Sequence, residues 1–380
     1  MKNKFKLTSF CIINLLFSLI ISQRVIVAEE QQWRPVPEAN YADVLELIAF
    51  RTMANYQEIF SWQGRMNIFE TSHFYGTNAA ETSHAVDINS VARNSKHICE
   101  IANTFAEFLL DMRDDRLYSS VEPNVQYKAV DLNQDVPIRK GTRTPKTRTV
   151  LSPESHMWYM PDGKFHSESK KGPPSKMVFI ESSQNENVKR FVRDPRIFFE
   201  SSGDEGKKLW ETLLRIKSNI KERINTRVAG YPHIEISSLE TESGIKYRIL
   251  TTWKGGENYV VKYIRSLLEV DEAVGFNAIK TETTTPSGVK TGSKEYTYEK
   301  IGGIYLPKTV KKEFWNNKGE STFTSKITIE TISINEPLRE DAFSIKNLGI
   351  EDDTLVTDNI KKTEFRYSKG FLVPISEPNQ

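Results

Sequence analysis

Alternating apolar and polar positions dominate the chain, and they predict a protein made mainly of β-strands. After Gly230 such runs follow one another, and turn residues such as Gly302 and Gly303 separate most of them. Strands joined by short connections pair antiparallel with their neighbours in sequence. This half is therefore predicted to be a meander with strands at Tyr247–Trp253, Tyr259–Ile264, Gly275–Thr284, Lys294–Lys300, Tyr305–Phe314 and Thr322–Ile334.

The first half of the chain mixes strands with two amphipathic helices. Apolar residues recur at helical spacing over 41–59 and again over 205–224, with charged residues on the other faces. The predicted strands and hairpins are Trp62–Ile68, Phe105–Tyr118, His156–Tyr159 and Met177–Ile180. The polar stretches 70–96 and 121–148 show no sustained period and are predicted to be long loops. Beyond Asp353 a polar tail is expected, with one strand at Phe365–Tyr367.

The one-sided character of these strands restricts the fold. A sheet that is apolar on one face must cover that face by curling or by receiving helices. Two helices are too few to cover both faces of a sheet of this size. We therefore predict an α+β, mainly antiparallel β fold, in which a strongly curved, unclosed half-barrel sheet has amphipathic helices on its concave side.

The N-terminal residues predict a removable export signal. Lys2, Lys4 and Lys6 precede an apolar run of about a dozen residues, which is too short to span a membrane. Cleavage is predicted after Ala28. The predicted organisation is a signal peptide at 1–28 and a single domain at 29–380, periplasmic or secreted, with no transmembrane anchor after cleavage.

Loss of the leader changes both the charge and the cysteine count. The formal net charge of the whole chain is +2, and the leader has four basic residues and no acid, so the mature chain is at −2. No positive field remains that would favour nucleic acid as a partner. Cys99 is then the only cysteine, which excludes an intramolecular disulfide.

Motifs for covalent chemistry or metal binding do not stand out. His73 and His84 recur in the word Glu-Thr-Ser-His, but no third ligand has a recognisable spacing, so a chance repeat in a loop is the better interpretation. Cys99, two residues after His97, is predicted to be a buried structural thiol. The acidic residues of 111–115 are predicted to be turn residues. We predict no enzymatic activity, no metal and no cofactor.

Large apolar side chains are the feature in excess, with 20 Phe, 14 Tyr and 6 Trp. Many alternate along single strands and would point to one side of the sheet. Core packing explains most of them, but a curled sheet too wide to fill itself leaves a cavity. The candidate residues for such an apolar hollow are Trp62, Met66, Ile68, Phe108, Leu110, Met112, Trp158, Met160, Tyr247, Ile249 and Trp253.

The order of these features resembles the lipoprotein carriers of the LolA/LolB type. The matching words are Ser61-Trp62-Gln63-Gly64, Phe105 to Tyr118, Leu268-Glu269-Val270-Asp271-Glu272, Gly275-Phe276-Asn277, Tyr298-Glu299-Lys300, Gly303-Ile304-Tyr305-Leu306-Pro307-Lys308, Asn335-Glu336-Pro337-Leu338 and Phe343-Ser344. The resemblance implies an unclosed, curved antiparallel sheet whose hollow is plugged by helices and receives acyl chains. The chain is longer than those carriers, and their charged lid residue has no assignable position here.

These observations predict an exported, monomeric, non-enzymatic protein that binds a lipid, an acyl chain or an acylated protein in its hollow, as a periplasmic carrier would. The alternative is a structural or protein-interaction module of the cell envelope in which the same sheet is packed solid. A hydrolase with His156 or His166 beside a carboxylate is the third hypothesis.

Overall fold

The computed structural model describes residues 32–76, 94–137, 146–161, 176–182, 193–199, 208–226, 233–254, 263–285 and 287–375. The predicted export signal at 1–28 lies outside these ranges. Within them are two α-helices, α1 (Tyr41–Gln57) and α2 (Leu209–Thr226). Both match the helical spacing of the sequence.

Strands make up most of the described chain. In the first half they are β1 (Arg34–Pro35), β2 (Ser61–Tyr75), β3 (His97–Asp111), β4 (Arg116–Ala129), β5 (Gln134–Val136), β6 (Thr147–Leu151), β7 (Ser155–Met160) and β8 (Met177–Ser182). In the second half they are β9 (His233–Thr241), β10 (Gly244–Lys254), β11 (Tyr263–Asp271), β12 (Asn277–Thr284), β13 (Lys290–Ile301), β14 (Ile304–Trp315), β15 (Ser321–Ile334), β16 (Leu355–Asp358), β17 (Thr363–Ser368) and β18 (Phe371–Pro374).

The meander predicted for the second half is confirmed. Strands β9 to β15 pair antiparallel, each with the next in sequence. Strand β15 then pairs with β2, and the sheet continues through β3, β4, β6, β7 and β8. Strand β8 pairs parallel with β16, which is followed by β17 and β18. The two halves of the chain therefore form one continuous, mainly antiparallel sheet.

The sheet is open, as predicted. In the described part of the chain, β1 pairs only with β9 and β18 pairs only with β17, so each leaves a free edge. A closed barrel would need a pairing between these two edges.

Both predicted long loops are wrong in part. Residues 70–75 continue β2, and residues 121–129 continue β4, while β5 and the start of β6 also fall within 121–148. The remaining residues, 77–93 and 138–145, lie outside the described ranges. Polar residues such as Glu70 and Ser72 form strand because β2 is paired on both sides, with β3 and β15, and this pairing satisfies their backbone groups whatever the side chain.

The polar C-terminal tail is also a wrong prediction. Residues 355–374 form three strands that extend the sheet rather than one isolated strand. Strand β9 was missed as well, although Ile234 and Ile236 alternate with polar residues and are buried. Most of the strand predicted at Tyr259–Ile264 lies outside the described residues, and the strand that pairs with β10 is β11.

Apolar clusters cover both faces of the β6–β8 region. Trp158 packs against the larger cluster, which also contains Trp62 and residues of both helices. Its neighbour Tyr159 belongs to a second cluster, formed with Phe343 and Leu348 of the segment after β15. Successive side chains of a strand point to opposite faces. We call the face with Trp62, Met66, Ile68 and Trp158 the inner face, and the opposite one the outer face.

Candidate functional site

Both helices pack against the inner face. Leu45, Ile48 and Ala49 of α1 and Leu213 and Ile216 of α2 are buried in the same cluster as the apolar side chains of the sheet. The helices also pack on each other. Burial of these apolar side chains contributes roughly 1.5–3 kcal/mol for each large one. Hydrophobic burial is therefore the main interaction that holds each helix on the sheet.

Polar contacts anchor α1 at a small number of points. The Asn55 amide donates to the carbonyl of Tyr305 at 2.9 Å and accepts from its backbone N–H at 2.8 Å. The Thr52 hydroxyl donates to the carbonyl of Phe276 at 3.0 Å. Glu46 forms an ion pair with Lys217 of α2. The C-terminal half of α1 is thereby fixed to the connection before β12 and to the start of β14.

Aromatic rings fill the space where α1 meets β2 and β3. The ring of Trp62 packs edge-on against Phe108 at 5.0 Å between centroids, and Phe199 lies 6.4 Å from Trp62. Tyr56 of α1 contacts Phe199 at 5.0 Å and Trp210 of α2 at 4.7 Å. Edge-to-face contacts of this kind stabilise a defined arrangement beyond the burial of area. The rings therefore join both helices to the sheet.

Most of the residues predicted to line the hollow are brought together. The buried members of the large cluster are Trp62, Met66, Ile68, Phe108, Leu110, Tyr247 and Ile249, and Met112 and Trp158 pack against it half-buried. Met160 is buried, 3% exposed, but belongs to neither apolar cluster of the described residues. Trp253 lies in β10, and its side chain is outside the described part of the chain.

Sequence reasoning missed the middle of this surface. Tyr296, Val310 and Ile327 form a row with Ile68 across β13, β14, β15 and β2, and all are buried. The alternation of apolar and polar residues along β13, β14 and β15 is the sequence signal that could have identified these three residues. Phe199, in contrast, belongs to a five-residue 3-10 helix, Pro195–Phe199, whose packing has no periodic signal in the sequence.

Most of the predicted lining residues are buried in one cluster with side chains of both helices. Exposure of the buried candidates ranges from 0% for Trp62 to 8% for Tyr247. An apolar ligand that contacts these residues would have to displace side chains that now bury them. The residues supply dispersion and hydrophobic contact.

Of the two histidines interpreted as a chance repeat, His73 and His84, the first has a histidine neighbour in the structure. His84 lies outside the described residues. His73 Nδ1 lies 2.9 Å from Nε2 of His97, and the His97 ring stacks on Tyr75 at 4.5 Å. Burial, and then the neighbouring His97, lower the pKa of His73. Cys99 is buried and unpaired, which confirms the prediction of a structural thiol.

The acidic residues of 111–115 are turn residues, as predicted. The Asp111 carboxylate accepts from the backbone N–H groups of Arg113 and Asp114 at 3.1 and 3.3 Å. It also accepts from Arg116 Nη2 at 2.6 Å. These bonds close the β3–β4 hairpin.

His156, a candidate of the hydrolase hypothesis, lies opposite Glu181 in the β7–β8 register. The His156 side chain is buried, 4% exposed, whereas Glu181 is half-buried. His166 is outside the described residues. Within the described ranges, no group of three His, Cys, Asp or Glu side chains could hold a metal ion. No helix in these ranges combines the length and the apolar character needed to cross a membrane.

Comparisons with known proteins give structural similarity without sequence similarity. No protein-family model and no curated protein sequence matches the chain. Among solved structures, the chain is similar to a LolA superfamily protein from Nitrosomonas europaea, with 13% identity and a TM-score of 0.31, over 79% of this chain and 99% of the other. A domain of an outer membrane lipoprotein-sorting protein from Vibrio parahaemolyticus has 9% identity and a TM-score of 0.30, over 80% and 98%.

A third similar structure is the lipoprotein LppX from Mycobacterium tuberculosis, with 4% identity and a TM-score of 0.23, over 78% of this chain and 98% of the other.

Proposed function

We propose that this chain is an exported, non-enzymatic binding protein that holds a lipid, an acyl chain or an acylated protein between the inner face and the helices. The inner face is then the concave side of a half-barrel, and α1 and α2 form its lid. The observation that supports the proposal most is the large apolar cluster, which spans β2, β3, β10 and β13 to β15 and includes the apolar residues of both helices.

The energetics of such a site need no special polar chemistry. Each methylene group moved from water to an apolar site contributes about 0.8 kcal/mol. An acyl chain would replace helix side chains of the cluster that contains Met66 and Ile68, and the helices would move outward to cover it. We propose that the protein does this as a periplasmic or secreted monomer, without cofactor or metal, after removal of residues 1–28.

A fluorescent fatty acid tests the proposal directly. The purified protein should bind 11-(dansylamino)undecanoic acid saturably, with a blue shift of the dansyl emission, and native mass spectrometry should detect co-purified lipid. Trp158→Asp should weaken uptake because it places a charge at the half-buried edge of the cluster. Phe69→Asp is the matched control, since Phe69 is 50% exposed and lies on the outer face of β2.

A solidly packed structural module is the second candidate, and the low exposure of the lining residues favours it. If the protein is such a module, native mass spectrometry should detect only the mass of the polypeptide, and the fluorescent fatty acid should show no saturable binding. Folded wild-type protein that binds neither lipid nor probe would refute the carrier proposal.

A further inference from the structure

Two hydroxyl groups interrupt the apolar inner face where β4 pairs with β6. Ser119 lies directly opposite Thr149 in the register of these two strands. Ser119 also pairs with Phe108 of β3, and Thr149 pairs with Trp158 of β7. Residues directly opposite each other in a sheet point to the same face, so both side chains lie on the inner face. We call Ser119 and Thr149 the hydroxyl pair.

The rows beside the hydroxyl pair belong to the large apolar cluster. Leu117 and Leu151 are the cross-strand pair two residues away on one side, and both are buried in this cluster. Val121, two residues away on the other side, is buried in it too and lies opposite Thr147. The hydroxyl pair is therefore set within a surface that otherwise makes mainly hydrophobic contact.

Neither hydroxyl of the pair has a partner. Ser119 is 0% exposed and Thr149 is 1% exposed, and neither side-chain oxygen has a hydrogen-bond partner in the described part of the chain. The hydroxyl of Thr52, a residue also 1% exposed, shows the usual arrangement, since it donates to the carbonyl of Phe276 at 3.0 Å. Buried polar groups are as a rule hydrogen-bonded, because a bond left unmade costs free energy. Two opposed exceptions indicate a place where a ligand supplies the acceptor.

We propose that Ser119 and Thr149 bind the carbonyl oxygen of an acyl ester whose hydrocarbon chain lies along the apolar cluster. The inference rests on the proposed function and specifies its ligand. A carbonyl oxygen has two lone pairs and can accept from both hydroxyls. An ester has no donor of its own, so this site needs no further acceptor. Binding recovers the two hydrogen bonds that the protein alone does not make.

The electrostatics of this region favour an uncharged ligand group. Across β3, β4 and β6, the row of the hydroxyl pair and the rows beside it have no charged side chain on the inner face. A carboxylate buried there would lack a counter-charge, which costs far more than burial of a neutral carbonyl. His156, in a neighbouring row on β7, has the acidic Glu181 as its own cross-strand partner. The hydroxyl pair should therefore prefer an ester to a free fatty acid.

Two ligands of equal chain length, one with and one without the carbonyl, test this inference. Methyl laurate and tetradecane, each delivered from cyclodextrin, compete with bound 11-(dansylamino)undecanoic acid. Ser119→Ala and Thr149→Val remove one hydroxyl each and change the shape of the side chain little. Each should weaken binding of methyl laurate about fivefold and leave binding of tetradecane as in wild type. Ser120→Ala, on the outer face of the same strand, is the matched control and should leave both affinities unchanged.

Two further measurements separate a ligand contact from a structural role. Because the Thr149 hydroxyl is unpaired in the protein alone, Thr149→Val should leave the unfolding midpoint in urea equal or higher. Infrared spectroscopy observes the bond from the ligand, with methyl laurate labelled with carbon-13 at its carbonyl. The carbonyl band of the bound ester should lie at lower wavenumber in wild type than in Thr149→Val, since an accepted hydrogen bond weakens the C=O bond.

Unchanged affinity for methyl laurate in folded Ser119→Ala and Thr149→Val would overturn the ester site and leave the apolar hollow standing. Equal weakening of methyl laurate and tetradecane would overturn it too, because it would show a general disturbance of the hollow. A lower urea midpoint for Thr149→Val would also count against it, since the hydroxyl would then stabilise the protein alone. If folded wild-type protein binds neither ligand nor the dansyl probe, the proposed function fails and this inference fails with it.

Discussion

Replacement of Gly64 by alanine should destabilise the protein through a clash on the inner face. A Cβ atom at this position of β2 would lie 2.6 Å from Cζ of Phe108 and 2.7 Å from the carbonyl oxygen of Glu330. The carbonyl belongs to the backbone of β15 and is fixed by the pairing of β15 with β2. The Phe108 ring packs edge-on against Trp62, so it cannot turn away without loss of that contact.

The expected cost follows from these contacts. Overpacking of a well-packed core costs about 1–3 kcal/mol, and loss of an aromatic pair about 0.5–1.5 kcal/mol. The lower entropy of the unfolded chain with alanine returns about 0.5–1 kcal/mol. We therefore expect the free energy of unfolding to fall by about 2 kcal/mol. Phe108→Leu in the same chain should recover part of this loss, because it removes the ring atom nearest the new methyl group.

Urea unfolding followed by tryptophan fluorescence measures this change as a lower midpoint at unchanged slope. Gly292→Ala in β13 is the comparison, since its Cβ would meet only side chains, Thr283 Oγ1 at 2.8 Å and Phe314 Cδ1 at 3.0 Å. Phe314 is 38% exposed and can move aside, so that variant should lose less than about 1 kcal/mol. Equal losses at both glycines, or a gain for Gly64→Ala, would refute the assigned role of the Phe108 and Glu330 contacts.

Three further predictions concern Cys99, His73 and the proposed lid helix α1. Burial raises the pKa of the Cys99 thiol, so a maleimide should label the native protein slowly and the urea-unfolded protein rapidly, and fast native labelling would contradict the assignment. Burial and His97 lower the pKa of His73 from its ordinary 6.5, so the unfolded chain takes up this proton more readily and stability falls as the pH drops through 6.5. His73→Asn should reduce that fall in urea midpoints measured from about pH 8 to about pH 5, and an identical fall would argue against it. Asn55→Ala removes both bonds to Tyr305 and should lower stability by about 1–2 kcal/mol while it speeds probe uptake in stopped flow. An unchanged uptake rate would count against movement of α1.

Local patterns predicted the elements whose structure depends on near neighbours in sequence. The alternation of Trp62, Met66 and Ile68, and that of Tyr247 and Ile249, placed these side chains on one face of their strands, and the structure gathers them in one cluster. The apolar faces of α1 and α2 could be predicted in the same way, because residues spaced by three or four lie on one face of a helix.

The errors occurred where distant pairing overrides composition. Glu70 and Ser72 have the polarity of a loop, but they form strand because β2 pairs with β15, about 250 residues away in sequence. Phe365–Tyr367 was predicted as a strand in a polar tail, yet β17 extends the sheet through the parallel pairing of β8 with β16. Parallel contacts between distant segments leave no period or turn in the sequence that would reveal them.

The sequence by itself determined the one-sided strands, the antiparallel meander, the two apolar helix faces and the buried thiol of Cys99, because each follows from residue spacing and composition. Only the tertiary structure decided which strands are neighbours and in which register. Since a shift of one residue would turn every side chain of a strand to the other face, the row formed by Tyr296, Val310, Ile327 and Ile68 is a property of the assembled sheet.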